Sequence, residues 1–257
     1  SSESVLRFNN AGTMRKTGGT GTTFFSSGVI FNNTGTVDIQ SGTVSFNSGF
    51  NQTDGETRLG GGSLSGGTLN FTGGTLSGSG IINGSVVNGA IVSPGSSLGT
   101  LTVNGNYTQT AFGTLQMELG GLTPGSGFDR LVVNGQATLA GTLNVTLLNG
   151  FTPGVSDAFL LLSYASRSGS FSTINLPALP RSLALTAEYT PTALTLLTVN
   201  TSDAKPTSTL SVIATGPGSW ELLFTGEPGR TYRLQASTNL VDWLDLSTIT
   251  PSTGLFR

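Results

Sequence analysis

The sequence predicts an all-β protein: a parallel β-solenoid, or β-helix, followed by a small β-sandwich-like module. Three observations carry this expectation. Phe8-Asn9-Asn10-Ala11-Gly12-Thr13 returns as Phe31-Asn32-Asn33-Thr34-Gly35-Thr36, an offset of 23 residues, and self-similarity at such a period marks stacked repeats. Gly accounts for 38 of 257 residues, while Asp, Glu, Lys and Arg together make up only 9%, against about 25% in an ordinary soluble domain. Before residue 155 no segment shows apolar spacing of three and four free of Gly or Pro, so helices are not expected.

Residues 1–100 read as Gly/Ser/Thr/Asn-rich solenoid coils. Leu59, Leu64, Leu69, Leu76, Ile81, Val86 and Ile91 recur in short steps between polar residues. Segments this short bury too little to stand alone, but stacked coils share one continuous core. The words Gly-Thr-Leu (67–69, 74–76, 99–101, 113–115, 141–143) and Asn-Gly (83–84, 88–89, 104–105, 134–135) mark strand starts and turns. Gly18-Gly19-Thr20-Gly21 and Gly60-Gly61-Gly62 are read as solenoid corners. A phosphate loop would need a following Lys-Ser/Thr and a helix start, and neither is there. A disordered Gly/Ser linker is the alternative, and the spaced Leu, Ile, Val and Phe argue against it.

Residues 101–200 are read as a wider end of the solenoid, or a β-rich continuation, with longer strands and Pro-bearing turns. Ala158-Phe159-Leu160-Leu161-Leu162-Ser163-Tyr164 is an apolar run suited to a strand buried on both faces. Ser202-Asp203-Ala204-Lys205-Pro206-Thr207 reads as a linker. Residues 201–257 then carry strand-like runs at 209–215, 219–225, 230–236 and 243–248, spaced as in a small immunoglobulin-like sandwich. Gly254-Leu255-Phe256-Arg257 reads as the start of another strand, so the module is taken as truncated or completed by a second chain.

Two stretches carry a resemblance. Ser93-Pro94-Gly95, Leu101-Thr102-Val103-Asn104-Gly105-Asn106-Tyr107, Phe128-Asp129-Arg130-Leu131-Val132-Val133-Asn134-Gly135 and Gly141-Thr142-Leu143-Asn144-Val145 resemble the repeats of autotransporter-type passenger proteins. Gly226-Glu227-Pro228-Gly229-Arg230-Thr231-Tyr232-Arg233-Leu234-Gln235-Ala236-Ser237-Thr238-Asn239-Leu240, with Trp243, resembles a C-terminal immunoglobulin-like module of large secreted proteins of environmental bacteria. The resemblance implies a right-handed β-helix displayed outside a bacterial cell. It specifies no single activity, since such proteins include adhesins, fibres and enzymes.

The composition removes much chemistry. With no Cys and no His, there is no disulfide, thiol nucleophile, Ser-His-Asp triad or His-ligated metal. The net charge is −2 and the basic residues are scattered, which argues against a nucleic-acid partner. No apolar stretch of about 18 residues exists to span a bilayer. The chain opens Ser1-Ser2-Glu3 without Met and reads as a mature or excised form.

The best carboxylate cluster is Asp54 and Glu56, which would share a face on a strand, with Arg58 extending the row. A solvated turn is the plainer reading. Asp242 and Asp245 flank Trp243, and Asp129-Arg130 reads as a cap or ion pair. Calcium would need clustered acidic ligands, and the Asp residues are isolated. Asn-x-Ser/Thr occurs at Asn32, Asn51, Asn70, Asn83, Asn106, Asn144 and Asn200, in a chain rich in all three residue types. Phe24, Phe25, Phe31, Phe46 and Phe50 are read as an inward stack, or, if outward, as a glycan or assembly surface.

No catalytic, cofactor or metal site is therefore expected. The expected function is structural: an extracellular, bacterial cell-surface fibre subunit that self-associates end to end, by strand donation in one version. The assembly edges would be Val5, Leu6, Arg7 and Phe8 at one end and Leu255, Phe256 and Arg257 at the other. The alternatives are a monomeric stalk or adhesin that binds glycan or a cell surface, and a β-helix polysaccharide-degrading enzyme.

Overall fold

The computed structural model describes residues 6–180, 182–201, 209–226, 229–239, 241–250 and 255–256. The chain divides into two units, Ser1–Asn200 and Thr201–Arg257. No helix among the described residues is long and apolar enough to cross a membrane.

The first unit is a three-faced parallel β-solenoid. Its first coil contributes β1 (Leu6–Asn10), β2 (Thr13–Lys16) and β3 (Thr22–Phe25), one strand per face. The second coil stacks β4 (Val29–Asn33), β5 (Thr36–Ile39) and β6 (Thr43–Phe46) on them, parallel and in register. The 23-residue sequence repeat is this step, since Phe8 pairs with Phe31 and Asn10 with Asn33.

On the first face the row continues through β7 (Phe50–Gln52), β8 (Glu56–Phe71), β9 (Thr75–Asn88), β12 (Tyr107–Gln109), β14 (Arg130–Leu139) and β16 (Ala158–Gly169). One inward-to-edge row reads Phe8, Phe31, Phe50, Leu69, Val86, Tyr107, Ala137, Arg167. Successive members are 23, 19, 19, 17, 21, 30 and 30 residues apart. The coil cross-section is thus kept while its sequence length is not. The second face adds β10 (Ile91–Pro94), β13 (Thr114–Leu119), β15 (Thr142–Leu147) and β17 (Thr173–Asn175). The third adds β11 (Thr100–Val103).

β8 and β9 each run through all three faces. Their ladder shifts register between Gly60 and Ser63 and again between Ser65 and Thr68, so the glycine runs are corners turned without leaving the ladder. Gly55, at the next corner of the stack, has φ +72, and a Cβ there would overlap the carbonyl of Gly35 in the coil beneath. Glycine satisfies both demands at once.

The core is one column of inward side chains. Phe31, Phe46 and Phe50 are fully buried, and adjacent rings lie 4.5–5.7 Å apart, the spacing at which aromatic pairs attract. Phe25 joins this stack at 5.0 Å from Phe46, whereas Phe24 points outward and is 64% exposed. Alternation within one strand explains the split, because neighbours on a strand face opposite sides.

Buried amides hold the corner between the first and second faces. Asn33 Nδ2 donates to the carbonyl oxygens of Gly35 and Glu56 and to Gln52 Oε1. Gln109 Nε2 does the same for Gly113, Ala140 and Thr142. A tight corner leaves carbonyls inside, and an amide satisfies several of them at once.

The solenoid's later coils differ from expectation in two respects. Residues 158–164 are not buried on both faces. A register shift between Leu160 and Leu162 turns both Leu161 and Leu162 inward, which lengthens the apolar run. Parallel stacking also stops at β17. There β18 (Leu183–Tyr189) and β19 (Ala193–Asn200) form an antiparallel hairpin, and β19 pairs antiparallel with the third-face part of β16. Leu185, Leu194 and Leu196 from the hairpin enter the core.

The second unit holds β20 (Thr209–Gly216), β21 (Ser219–Thr225) and β24 (Leu255–Phe256) in one antiparallel sheet. A second sheet pairs β22 (Tyr232–Ala236) with β23 (Leu244–Ile249). Phe224 and Tyr232 bring the sheets together with rings 4.7 Å apart.

Phe46→Ala removes a fully enclosed ring from the column and is expected to cost about 3–5 kcal/mol. Phe24→Ala on the outer surface is expected to change stability by no more than about 0.5 kcal/mol. Chemical denaturation of the two variants checks the contrast, and equal losses would contradict the inward assignment.

Candidate functional site

The first coil presents an open edge. Among the described residues β1, β2 and β3 pair only with the coil above, through β4, β5 and β6. Among the described residues no strand pairs with the other edge of β1, β2 or β3, and an edge of that kind is a template for pairing. Leu6 is 61% and Phe8 45% exposed there. Phe8 caps the aromatic column, stacked 5.1 Å from Phe31. Arg7 pairs in register with Ile30. Of the other expected edge residues, Val5 and Arg257 lie outside the described residues. Leu255 and Phe256 pair with Thr225 and Phe224 of β21 on one side, and among the described residues they form the edge strand of that sheet.

Three columns of polar side chains climb from this edge. On the outside of the first face, Asn32 Nδ2 donates to Asn9 Oδ1 at 2.8 Å, Asn51 to Asn32 at 3.4 Å and Asn70 to Asn51 at 3.1 Å. Inside, Asn10 Nδ2 donates to Asn33 Oδ1 at 2.8 Å and Asn33 to Gln52 at 3.1 Å. The two ladders run with opposite donor polarity. On the second face Arg15, Asp38 and Arg58 share a register row. The Asp38 carboxylate accepts from Arg15 Nε at 2.9 Å, Arg58 Nη2 at 3.1 Å and Gln40 Nε2 at 2.8 Å. Burial by itself would raise its pKa. The hydrogen bonds from Arg58, Gln40 and Arg15 outweigh that and hold the carboxyl below its ordinary value.

Higher on the same face lies a groove of about 410 Å³ lined by Glu56, Arg58, Ser77, Ser93, Ser97 and Glu118 among others. Glu56 accepts from Ser77 Oγ at 2.7 Å. Asp54 is not on a strand with it. It sits in the turn before β8, where its carboxylate caps the Gly55 N–H at 2.8 Å. The expected carboxylate pair is therefore a turn cap and a strand residue bonded to serine. Asp129, behind Glu118, is fully buried and accepts the backbone N–H groups of Gly99 and Glu118, each at 2.9 Å. Burial pushes its pKa to about 7 against those two donors, and the Glu118 charge adds to the rise. Its neighbour Arg130 reaches Ser163 Oγ at 3.4 Å instead.

In the second unit Asp242 accepts from Asn239 Nδ2 at 2.8 Å, and Asp245 from Gln235 Nε2 at 2.7 Å. Trp243 lines a cleft of about 270 Å³ with Phe224, Tyr232 and Ile249. Among the described residues no group of three acidic side chains forms a metal cluster.

Sequence reasoning passed over Asp38, Glu118 and the amide ladders. A signal existed for Asp38, because Arg15, Asp38 and Arg58 are separated by 23 and 20 residues, the lengths of coil steps. No family model matches this chain, and no curated protein does.

Two variants test the electrostatics. Asp38→Asn is expected to cost about 1–2 kcal/mol, less than a fully buried pair, because both arginines keep a route to water. A depressed pKa stabilises the fold above the ordinary value of 3.8 and loses that contribution as the pH falls through the folded value. The gap between wild type and Asp38→Asn should therefore close in acid. For Asp129 the sign is opposite. Its raised pKa favours the folded state fully below 3.8, and that advantage is lost as the pH rises towards 7. Thermal unfolding of wild type against Asp129→Asn between pH 4 and 7 should show a falling wild-type slope that the variant lacks.

Proposed function

We propose that this chain is an extracellular structural protein, a subunit or segment of a surface fibre that assembles end to end through β-edges. The single observation that supports this reading most is the three-faced edge formed by β1, β2 and β3, unpaired on one side among the described residues. Backbone pairing there gives affinity without any dedicated chemistry. The rest of the unit agrees with a load-bearing role, with columns of amides and aromatics repeated coil on coil.

The other end is different. The antiparallel strand β19 occupies the third face beyond β16, so a parallel coil has at most two faces on which to continue.

A second reading, a stalk that binds glycan along its flank, is favoured by the hydroxyl- and carboxylate-lined groove on the second face. Negative-stain electron microscopy of the native material, with light scattering alongside, separates the two. Regular fibres with a repeat near one subunit length are expected. Uniform single rods at every concentration would overturn the fibre reading, and a glycan array would then test the groove.

A further inference from the structure

The groove on the second face is built into the middle of the stack. Its lining comes from β8, β9, β10 and β13 and from the segment 95–99 that follows β10. Each of those four strands is paired on both sides. No free strand edge reaches the groove, and no aliphatic or aromatic side chain lines it. A ligand there finds neither backbone pairing nor an apolar pocket. What it finds is oxygen. Gly95, with φ +86, turns the chain away from the ladder, and Ser96 and Ser97 stand exposed along the wall. The hydroxyls of Ser93, Ser96 and Ser97 make no hydrogen bond among the described residues.

The charges along the groove differ in what they have left to give. Arg58 is spent on Asp38, through Nε at 3.3 Å and Nη2 at 3.1 Å. Glu56 accepts from Ser77 and lies close enough to Arg58 to raise its pKa. Glu118 has no such partner. Its carboxylate makes no hydrogen bond or ion pair among the described residues, and partial burial raises its pKa with no cation to oppose the rise. Behind it Asp129 has one oxygen on the Gly99 N–H and the other on the Glu118 N–H. Asp129 thus adds negative potential without offering a further ligand atom. These charges repel an anion. They also serve a calcium ion poorly, since it takes about six to eight oxygen ligands and no three acids cluster among the described residues. An organic ammonium group brings one charge and three N–H donors, which matches one carboxylate and nearby hydroxyls. Glu56 and Glu118 are three strand steps apart in the stack and four residues apart along it, about 20 Å between backbones. That suits a chain of rings lying obliquely across the coils. It is far beyond the separation of about 5–9.5 Å at which two carboxylates hydrolyse a glycosidic bond.

We propose that this groove binds, without cleaving it, a linear glycan that carries free amino groups, a polymer of hexosamine units, with a sugar ammonium on Glu118 and ring hydroxyls along Ser93 and Glu56. This deepens, and rests on, the glycan reading of the groove, and it does not depend on fibre assembly. Sugar hydroxyls donate to a carboxylate and accept from a serine on a surface that has no strand edge to lend. A basic peptide would satisfy Glu118 equally well, but its backbone would find no ladder to join and its apolar side chains no pocket to fill. The free amino group is what sets the ligand apart from a neutral glycan, because Glu118 is the one lining charge with no partner of its own among the described residues.

The test uses the full chain and an end-labelled oligomer of β-linked glucosamine, read by anisotropy. The fully N-acetylated oligomer and an oligolysine of similar length serve as comparisons. Saturable binding of the glucosamine oligomer is expected. The acetylated oligomer should bind about tenfold more weakly, since its amide carries no charge. Glu118→Gln should unfold at or slightly above the wild-type temperature, because it relieves the burial of a charge. It should nevertheless lose about three- to tenfold in affinity for the glucosamine oligomer. Glu188→Gln, exposed on the hairpin strand β18, changes the net charge equally and should leave binding unchanged. Undiminished binding by Glu118→Gln, or an equal loss with Glu188→Gln, would overturn the proposal in favour of bulk attraction to an acidic protein. Oligolysine bound as tightly as the sugar would assign the groove to a basic peptide and overturn it too. Equal binding of the acetylated oligomer would sink the amino-sugar assignment and leave the glycan reading of the groove standing. No binding of either oligomer would remove both, and fibres seen by microscopy would be untouched by that result.

Discussion

In-register parallel stacking obliges each residue to share its position with a counterpart one strand spacing, about 4.8 Å, above and below. A side chain is therefore acceptable only if a column of its kind is acceptable. Phenyl rings meet the condition by tilting and stacking, as Phe31, Phe46 and Phe50 do. Amides meet it because each carries a donor and an acceptor, so Asn9, Asn32, Asn51 and Asn70 chain together. Like charges cannot, and the one charged column near the first coil alternates, with Asp38 held between two arginines. The low charge content of the sequence follows from the same condition.

That condition also explains which parts of the molecule were legible in the sequence. The first repeat was readable because two coils kept the same length and the same Phe-Asn-Asn corner. The later coils shorten to 17 residues and lengthen to 30, because the ladder fixes the cross-section and leaves the corners free to grow loops. A search for one period loses such a stack after its second turn. The inward Phe column could be anticipated from size and hydrophobicity. The pairing of Arg15 and Arg58 with Asp38 could not, since it becomes local only once 23 and 20 residues of chain are wound into coils.

Other features had no sequence signature of their own. The apolar run at 158–164 looked like a doubly buried strand because a register shift puts two consecutive leucines on the inside. The hairpin of β18 and β19 uses the same alternating residues as a parallel coil, and only its pairing direction sets it apart. Asp54 and Glu56 were assigned a common face on the premise of a continuous strand, and the Gly55 turn between them removes that premise.

The hairpin and the open coil make the two ends of the solenoid unequal, and in a quasi-one-dimensional stack the ends decide how the whole comes apart. Among the described residues an interior coil is gripped by two interfaces and β1, β2 and β3 by one, so within this stack fraying starts at those strands and runs inward like a zipper. At the other end β19 is gripped on both sides, by β16 and β18, and acts as the stop. Anything that clasps the first coil therefore holds the slider of that zipper, and its binding energy adds to the resistance of every coil behind it.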